Sequence, residues 1–311
     1  MLSRVAASLY WMGRYVERAE FTARLIEATV RLDALSSRPA GEAAWISALA
    51  VIEAEAAFSA TGEKLTPRNV ARFLSLSPVN PGSVMSCLDK ARGNAKAVRT
   101  ALSRDAWATI NRAWLLFYGR ASPGDTQATL ALMEQAQDET RGFEGALGRM
   151  LRNPATWFIR LGATIERADN TARLIDVKYH ILLPEGERVG GAVDRDQWTT
   201  ILQTLAAVNA YRWLYRDGLE ARSVAELLVL RRELPRSLAA CAEEVVLHLN
   251  ALGKQTGFQG EADRMARLRH ARLGETRIDD VTKGGLHEYV EAFIEENATI
   301  DQAISKQFKF L

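Results

Sequence analysis

Two short stretches of the sequence combine carboxylates and arginines at spacings that would place them together on one face of a helix. These residues are Glu17, Glu20 and Arg24 in the first stretch and Glu166, Asp169 and Arg173 in the second. Residues three and four apart are neighbours on a helix surface, so each stretch presents two acids and a base on one stripe. Such a stripe could bind a polar ligand, transfer protons or hold a second helix by ion pairs.

The stripes allow two structural interpretations. In the first they face solvent, and i,i+4 pairs such as Glu20 with Arg24 contribute about 0.2–0.5 kcal/mol each. In the second they meet in a polar seam, where carboxylates of one stretch pair with Arg24 or Arg173 of the other. Buried ions are costly unless they are paired, so a seam would hold helix geometry or bind something polar. The matched residue types favour the seam, and Arg18 and Arg167, which fall off the stripe, are predicted to support it or face outward.

The same carboxylates could also bind a catalytic metal or act as a general acid and base. Di-metal sites in helix bundles use glutamates with Glu-x-x-His pairs. Neither stretch has such a pair, and Arg24 and Arg173 would repel a metal ion. We therefore predict no metal and no cofactor. General acid/base catalysis needs a carboxyl whose pKa is raised by burial, whereas neighbouring arginines keep carboxylates ionised. An anionic or zwitterionic ligand, such as a peptide carboxylate, fits the mixture at least as well.

Both stripes belong to a sequence repeat. GRYVERAEFTARLI, from Gly13 to Ile26, recurs as GATIERADNTARLI from Gly162 to Ile175. VARFLSLSPVNPGSVMSC, which begins at Val70, likewise resembles VAELLVLRRELPRSLAAC, which begins at Val224. Self-similarity of this kind indicates duplication. The sequence therefore predicts an all-α, internally duplicated helical bundle with two pseudo-symmetric halves of about 150 residues, 1–152 and 153–311, packed as one body.

Apolar periodicity and turn residues predict the individual helices. At 100° per residue, one apolar stripe of the first helix contains Met12, Val16, Ala19, Ala23, Ile26 and Val30. Caps, prolines and glycines predict helices at 3–35, 42–59, 81–102, 105–118, 126–151, 260–273 and 283–309. Asn80 is the predicted cap of the helix at 81–102. Two further helices are predicted to begin at Pro67 and at Pro154, and the second of these ends before Pro184. Nothing in the sequence predicts a strand.

Composition excludes several classes of function. The net charge is +2, from 40 basic and 38 acidic residues, which gives no electrostatic case for nucleic-acid binding. No apolar run reaches the roughly 20 residues of a membrane span, and the charged N-terminal helix is unlike a signal peptide. We expect a cytoplasmic protein in which Cys87 and Cys241 are buried thiols rather than a disulfide.

The opening LSRVAASLYWMGRYVERAEFTARL, the later FIRLGATIERADNTARLIDVKYHILLP and the Asn-Pro-Gly-Ser and Leu-Pro-Arg-Ser turns resemble the alpha-E family of bacterial helical proteins, over the whole chain. Asp169, where the first copy has Glu20, is a small departure within the repeat. The resemblance implies genes beside, or fused to, circularly permuted ATP-grasp proteins and transglutaminase-like peptidases. It therefore implies an accessory or substrate-positioning subunit of an ATP-grasp peptide or amide ligase, with a peptide-like ligand. The alternatives are a carboxylate-based enzyme acting on a peptide-like substrate and a structural scaffold without a ligand.

Overall fold

The computed structural model describes residues 2–35, 38–180, 191–216 and 218–310, and these residues form helices joined by turns and loops, with no strand. The predicted all-α class is confirmed. No helix in these ranges is both long and apolar enough to cross a membrane. The helices are α1 (Ser3–Leu35), α2 (Arg38–Val51), α3 (Glu55–Ser59), α4 (Pro67–Leu76), α5 (Val84–Ala97), α6 (Arg104–Phe117), α7 (Thr126–Gly148), α8 (Pro154–His180), α9 (Ala192–Thr204), α10 (Val208–Leu214), α11 (Ala221–Leu230), α12 (Leu238–Thr256), α13 (Glu261–Glu275), α14 (Ile278–Gly284) and α15 (Leu286–Phe308).

Side-chain caps determine where several helices begin. Thr66 accepts a hydrogen bond from the backbone N–H of Asn69 (3.3 Å), as the sequence predicted for α4. The predicted cap at Asn80 is wrong, because its Oδ1 accepts instead from the N–H of Gly82 (2.9 Å) and forms a local turn. Ser83 caps α5 in its place by accepting from the N–H of Ser86 (3.2 Å).

Two backbone positions with positive φ explain where the observed helices depart from the predicted ones. The helix predicted at 42–59 is divided into α2 and α3, and Glu53, between them, has φ of 53°. The helix predicted at 283–309 begins later, as α15, because Gly285 has φ of 90° and ends the helical path of α14. Pro184, which was predicted to end α8, lies outside the described residues.

Helices α1 and α8 form the most extensive helix–helix contact of the structure. Helix α1 also packs on α5 and α7, and α8 also packs on α12 and α15. The apolar stripe predicted for α1 is buried along its whole length, from Met12 to Val30. Phe21 and Leu25 lie off that stripe and are buried as well, because α1 is covered by other helices on more than one side.

Glycines bring the backbones of α1 and α8 into direct contact. A Cβ at Gly13 would lie 2.0 Å from the carbonyl oxygen of Ile159, and one at Gly162 would lie 2.0 Å from the carbonyl oxygen of Tyr10. Both separations are far inside van der Waals contact, so only glycine fits at either position. This close crossing places the charged residues of each helix within reach of the other.

Candidate functional site

Glu17 of α1 and Glu166 of α8 lie buried near the helix crossing, with 3% and 1% of their surface exposed. Each glutamate follows its crossing glycine by four residues, which is about one helical turn and keeps both on the contact face. A carboxylate without water needs charged or hydrogen-bonding partners in the protein. Both glutamates obtain such partners from other helices and turns.

Two arginines of α1 bind Glu166. Arg14 donates from Nε to Oε2 at 2.8 Å, and Arg18 donates from Nη2 to the same oxygen at 2.9 Å and from Nε to Oε1. Arg14 also donates from Nη1 to Oδ2 of Asp301 in α15, at 2.6 Å. The guanidinium of Arg14 therefore bridges two helices, and both oxygens of Glu166 accept hydrogen bonds.

Glu17 receives an equivalent set of bonds. Arg167 of α8 donates to its Oε2 from Nη2 at 2.8 Å and from Nε at 3.2 Å. Arg236, in the turn before α12, donates from Nη1 to Oε1. Arg167 reaches further to Oε1 of Glu144 in α7, at 2.6 Å.

Glu17, Arg18, Glu166 and Arg167 form what we call the Glu–Arg clamp. Helix α1 supplies the acid of one pair and the base of the other, and α8 does the reverse. Charge-assisted bonds from a planar guanidinium fix both distance and orientation. The clamp therefore sets how α1 lies on α8.

The arginines predicted to pair across the helices have partners elsewhere. Arg24 donates to Glu20 of its own helix, at 2.7 and 2.9 Å. Arg173 donates to Asp169 of its own helix at 2.7 Å and also bonds Glu53. Glu20 and Arg24 are largely buried, so the solvated-face interpretation does not describe this part of α1.

The predicted partners of the buried carboxylates therefore need correction. Pairing with Arg24 or Arg173 of the other copy was expected, and the structure has Arg18 and Arg167 in that role. A helical wheel places these two arginines off the stripe because it treats each helix alone. At the close crossing, the arginine after each glutamate reaches the glutamate of the opposite helix. Arg14 and Arg236 were also missed, and the sequence signals for the clamp were the repeated Glu-Arg dipeptide and the repeated glycine four residues before each glutamate.

The arginines keep the clamp carboxylates ionised. Burial raises the pKa of Glu17, but the charges and hydrogen bonds of Arg167 and Arg236 outweigh it and lower the pKa to about 2. Burial likewise opposes ionisation of Glu166, and Arg18 and Arg14 hold the pKa of that carboxyl below its usual value. A carboxylate that stays ionised and fully bonded cannot act as a general acid near neutral pH.

Acid should destabilise the protein in two separate pH windows. Burial, with help from Arg160 and Arg167, lowers the pKa of His248 from 6.5 to about 4. The unfolded state therefore binds this proton first, and stability that is complete above pH 6.5 is lost toward pH 4. Glu17 acts in the same direction from pH 4.5 to about 2. The free energy of unfolding, measured by urea denaturation at each pH, should fall in both windows.

Two variants assign the windows. His248→Gln should remove the loss of stability between pH 6.5 and 4 and keep the loss below it. Glu17→Gln should keep the first loss and reduce the second, to which Glu166 also contributes. A free energy of unfolding that is constant from pH 6.5 to 4 in the unmodified chain would contradict the assignment of His248.

Metal binding and reaction through a cysteine thiol are two other kinds of chemistry on which the structure bears. Within the ranges described above, no three His, Cys, Asp or Glu side chains are grouped so that they could hold a metal ion. Cys87 and Cys241 are free and buried, as predicted, and burial raises the pKa of each thiol to about 12. Thiols with so high a pKa are weak nucleophiles.

Comparison with known families gives a match over nearly the whole chain. The model of the Alpha-E family, described as a predicted alpha-helical domain with a conserved ER motif, matches residues 1–308. Both copies of the repeated stretch contain Glu-Arg, at Glu17-Arg18 and Glu166-Arg167. These are the four residues of the Glu–Arg clamp.

Similar curated proteins come from mycobacteria. Uncharacterized proteins of Mycobacterium bovis and of the CDC 1551 / Oshkosh and H37Rv strains of Mycobacterium tuberculosis are each 24% identical to the chain over 309 residues. Each alignment covers 91% of this chain and 34% of the relative. The chain therefore spans about a third of the length of the curated relatives it matches. No solved structure matches the chain.

Proposed function

The chain belongs to the Alpha-E family, and we propose that it is a non-catalytic helical module that positions a substrate or partner for an ATP-grasp peptide or amide ligase. The observation that supports a non-catalytic role is the saturation of Glu17 and Glu166 by arginines. Their bonds hold α1 against α8 and leave neither carboxyl free to exchange protons. The Glu–Arg clamp then serves to fix a shape rather than to carry out a reaction.

A partner is supported by the length of the relatives. In the mycobacterial proteins, sequence like this chain makes up about a third of a longer polypeptide. A helical module attached to a larger protein fits an accessory role. The identity of the partner as a circularly permuted ATP-grasp protein comes from the family resemblance. Because such a partner needs ATP, we also propose that the chain is located in the cytoplasm.

We also propose that the two halves, 1–152 and 153–311, arose by duplication and pack as one body. The reciprocal contacts support this proposal. Gly13 and Gly162 meet the backbones of Ile159 and Tyr10, which occupy matching positions of the two copies. Each copy alone would leave its buried glutamate without the arginine of the other.

Co-expression with a circularly permuted ATP-grasp protein from the same source tests the proposal. We expect a complex of fixed stoichiometry by light scattering, no ATP hydrolysis by the chain alone, and faster ATP-dependent ligation by the complex than by the partner alone. Glu17→Gln, which is nearly isosteric, should lower the stability of the chain but leave the ligation rate of the folded complex unchanged. Loss of turnover at unchanged stability would instead support a carboxylate enzyme.

One observation favours that second candidate, an enzyme acting on a peptide-like substrate. Burial raises the pKa of Asp169, even though Arg173 opposes the shift. A carboxyl of this kind is a candidate general acid. The isolated chain and its Asp169→Asn variant should then differ in peptide turnover, and equal absence of turnover in both would reject the candidate.

A further inference from the structure

A cleft opens beside the Glu–Arg clamp on the side of Glu17. Its volume is about 290 Å³, and it lies between α1, α7, α8 and α12. Its charged lining consists of Glu17, Glu20, Glu144, Glu244, Arg160 and Arg167. Glu17 and Glu20 are already paired with Arg236 and Arg24, so the carboxylates with bonding capacity left are Glu144 and Glu244.

The two sides of the clamp differ in where the second arginine comes from, since Glu166 takes it from α1 and Glu17 takes it from Arg236. Arg14 lies between Glu166 and Asp301 and donates to both carboxylates, at 2.8 and 2.6 Å. In the alignment of the two repeated stretches, the position of Arg14 is taken by Ala163. Ala163 is a lining residue of the cleft. One copy therefore carries its own guanidinium, and the other presents a cavity next to the matching glutamate.

The positions on either side of Arg14 and Ala163 also differ between the two copies. Trp11 and Tyr15 of the first copy align with Arg160 and Thr164 of the second. Trp11 covers the guanidinium of Arg14, whose carbon lies 5.0 Å from the ring centroid. Thr164 is much smaller than Tyr15, so the cleft is not closed by an aromatic side chain.

The carboxylates at the mouth of the cleft keep bonding capacity. Glu144 accepts from Arg167 through Oε1, and Glu244 accepts from Thr164 through Oε2 at 3.0 Å. In the part of the chain that the structure describes, no hydrogen bond uses Oε2 of Glu144 or Oε1 of Glu244. Their side chains are 52% and 41% exposed, so a ligand can reach them from solvent.

We propose that this cleft binds the guanidinium or ammonium group of a basic amino-acid residue, in the position that Arg14 occupies in the first copy. Glu144 and Glu244 would accept hydrogen bonds from the cation, with Glu17 behind them. An anion would meet the unused oxygens of Glu144 and Glu244, and the guanidinium of Arg167 is already bonded to carboxylates. The inference concerns the chain alone and does not depend on a partner protein.

Binding of N-acetyl-argininamide to the full chain, measured by isothermal titration calorimetry, tests the proposal. We expect one saturable site, to which N-acetyl-lysinamide binds as well. The neutral N-acetyl-citrullinamide should bind on the order of tenfold more weakly or not at all, because a neutral side chain cannot form charge-assisted bonds. Added salt should weaken the binding of both cations. Equal affinity for the citrulline compound, or no saturation at about 10 mM argininamide, would overturn the proposal.

Ala163→Arg places an arginine of the chain itself in the cleft. We expect it to abolish binding, while circular dichroism shows an unchanged helix content. Glu144→Gln and Glu244→Gln should each weaken binding on the order of tenfold, and they decide the matter if Ala163→Arg does not fold. The matched control is Glu134→Gln, an exposed glutamate of α7 outside the cleft, which should bind like the unmodified chain. Binding that survives Ala163→Arg, or both glutamine variants, would place the ligand elsewhere and reject the inference.

Discussion

Replacing Glu166 by alanine should lower the free energy of unfolding by about 3 kcal/mol. The variant leaves two arginines at the helix crossing without their shared carboxylate, and a buried charge that loses its partner is strongly destabilising. The expected loss lies at the lower end of the usual range. Arg14 keeps its bond to Asp301, and the side chain of Arg18 is 30% exposed and can turn partly to water. Urea denaturation monitored by circular dichroism measures the change.

Glu134→Ala is the matched control for this variant. Glu134 pairs with Arg31 at 3.3 Å, but both side chains are more than half exposed. Exposed pairs contribute little, so this variant should change stability by less than about 1 kcal/mol.

A double-mutant cycle on Glu17 and Arg167 should show a coupling of about 1 kcal/mol or more, within the range of roughly 0.5–3 kcal/mol for residues in contact. Additive effects in that cycle would contradict a clamp in which the pair acts as a unit.

Gly13→Ala and Gly162→Ala should each destabilise the protein by about 3 kcal/mol, or prevent folding. The new Cβ would lie 2.0 Å from a backbone carbonyl oxygen of the other helix, and a backbone atom cannot move aside as a flexible side chain can. Helices α1 and α8 must then separate, which also lengthens the bonds of the Glu–Arg clamp. The effect should outweigh the gain of roughly 1 kcal/mol that alanine normally brings to a helix interior.

Gly145→Ala in α7 measures the gain in helix propensity without a steric clash. A Cβ at Gly145 would meet nothing within 4 Å, so the substitution should stabilise the protein by up to about 1 kcal/mol. The same denaturation measurement on all three alanine variants separates helix propensity from steric exclusion. If Gly13→Ala were as stable as Gly145→Ala, the close crossing of α1 and α8 would be wrong.

The sequence was sufficient to predict the helical class and the buried stripe of α1. Met12, Ala23 and Ile26 recur at helical spacing, and that pattern depends only on the geometry of one helix. The break at Glu53 was not predictable in this way, because a glutamate carries no sign of a positive φ. The caps were predicted in part. Asn80 and Ser83 are both good capping residues, and the local turn from Asn80 to Gly82 leaves Ser83 as the cap of α5.

The candidate site was predicted in part. The sequence singled out Glu17 and Glu166, since identical charged residues recur in an apolar context. It did not identify Arg18 and Arg167 as their partners, because pairing across two helices depends on the crossing point and on the rotation of each helix. The repeated glycines held that information. Their meaning becomes clear only when the opposing backbone is in place.

The reciprocal clamp also has a consequence for the order in which the chain folds during synthesis. Helix α1 is made before α8, and Glu17 finds Arg167 only 150 residues later. At ribosomal rates of about 5–20 residues per second, roughly 7 to 30 s pass before α8 follows. During that time the contact face of α1 has no partner, and closing so long a loop slows folding. The first half therefore exposes the apolar face of α1 until α8 is made, and a nascent chain released before then should aggregate or be degraded.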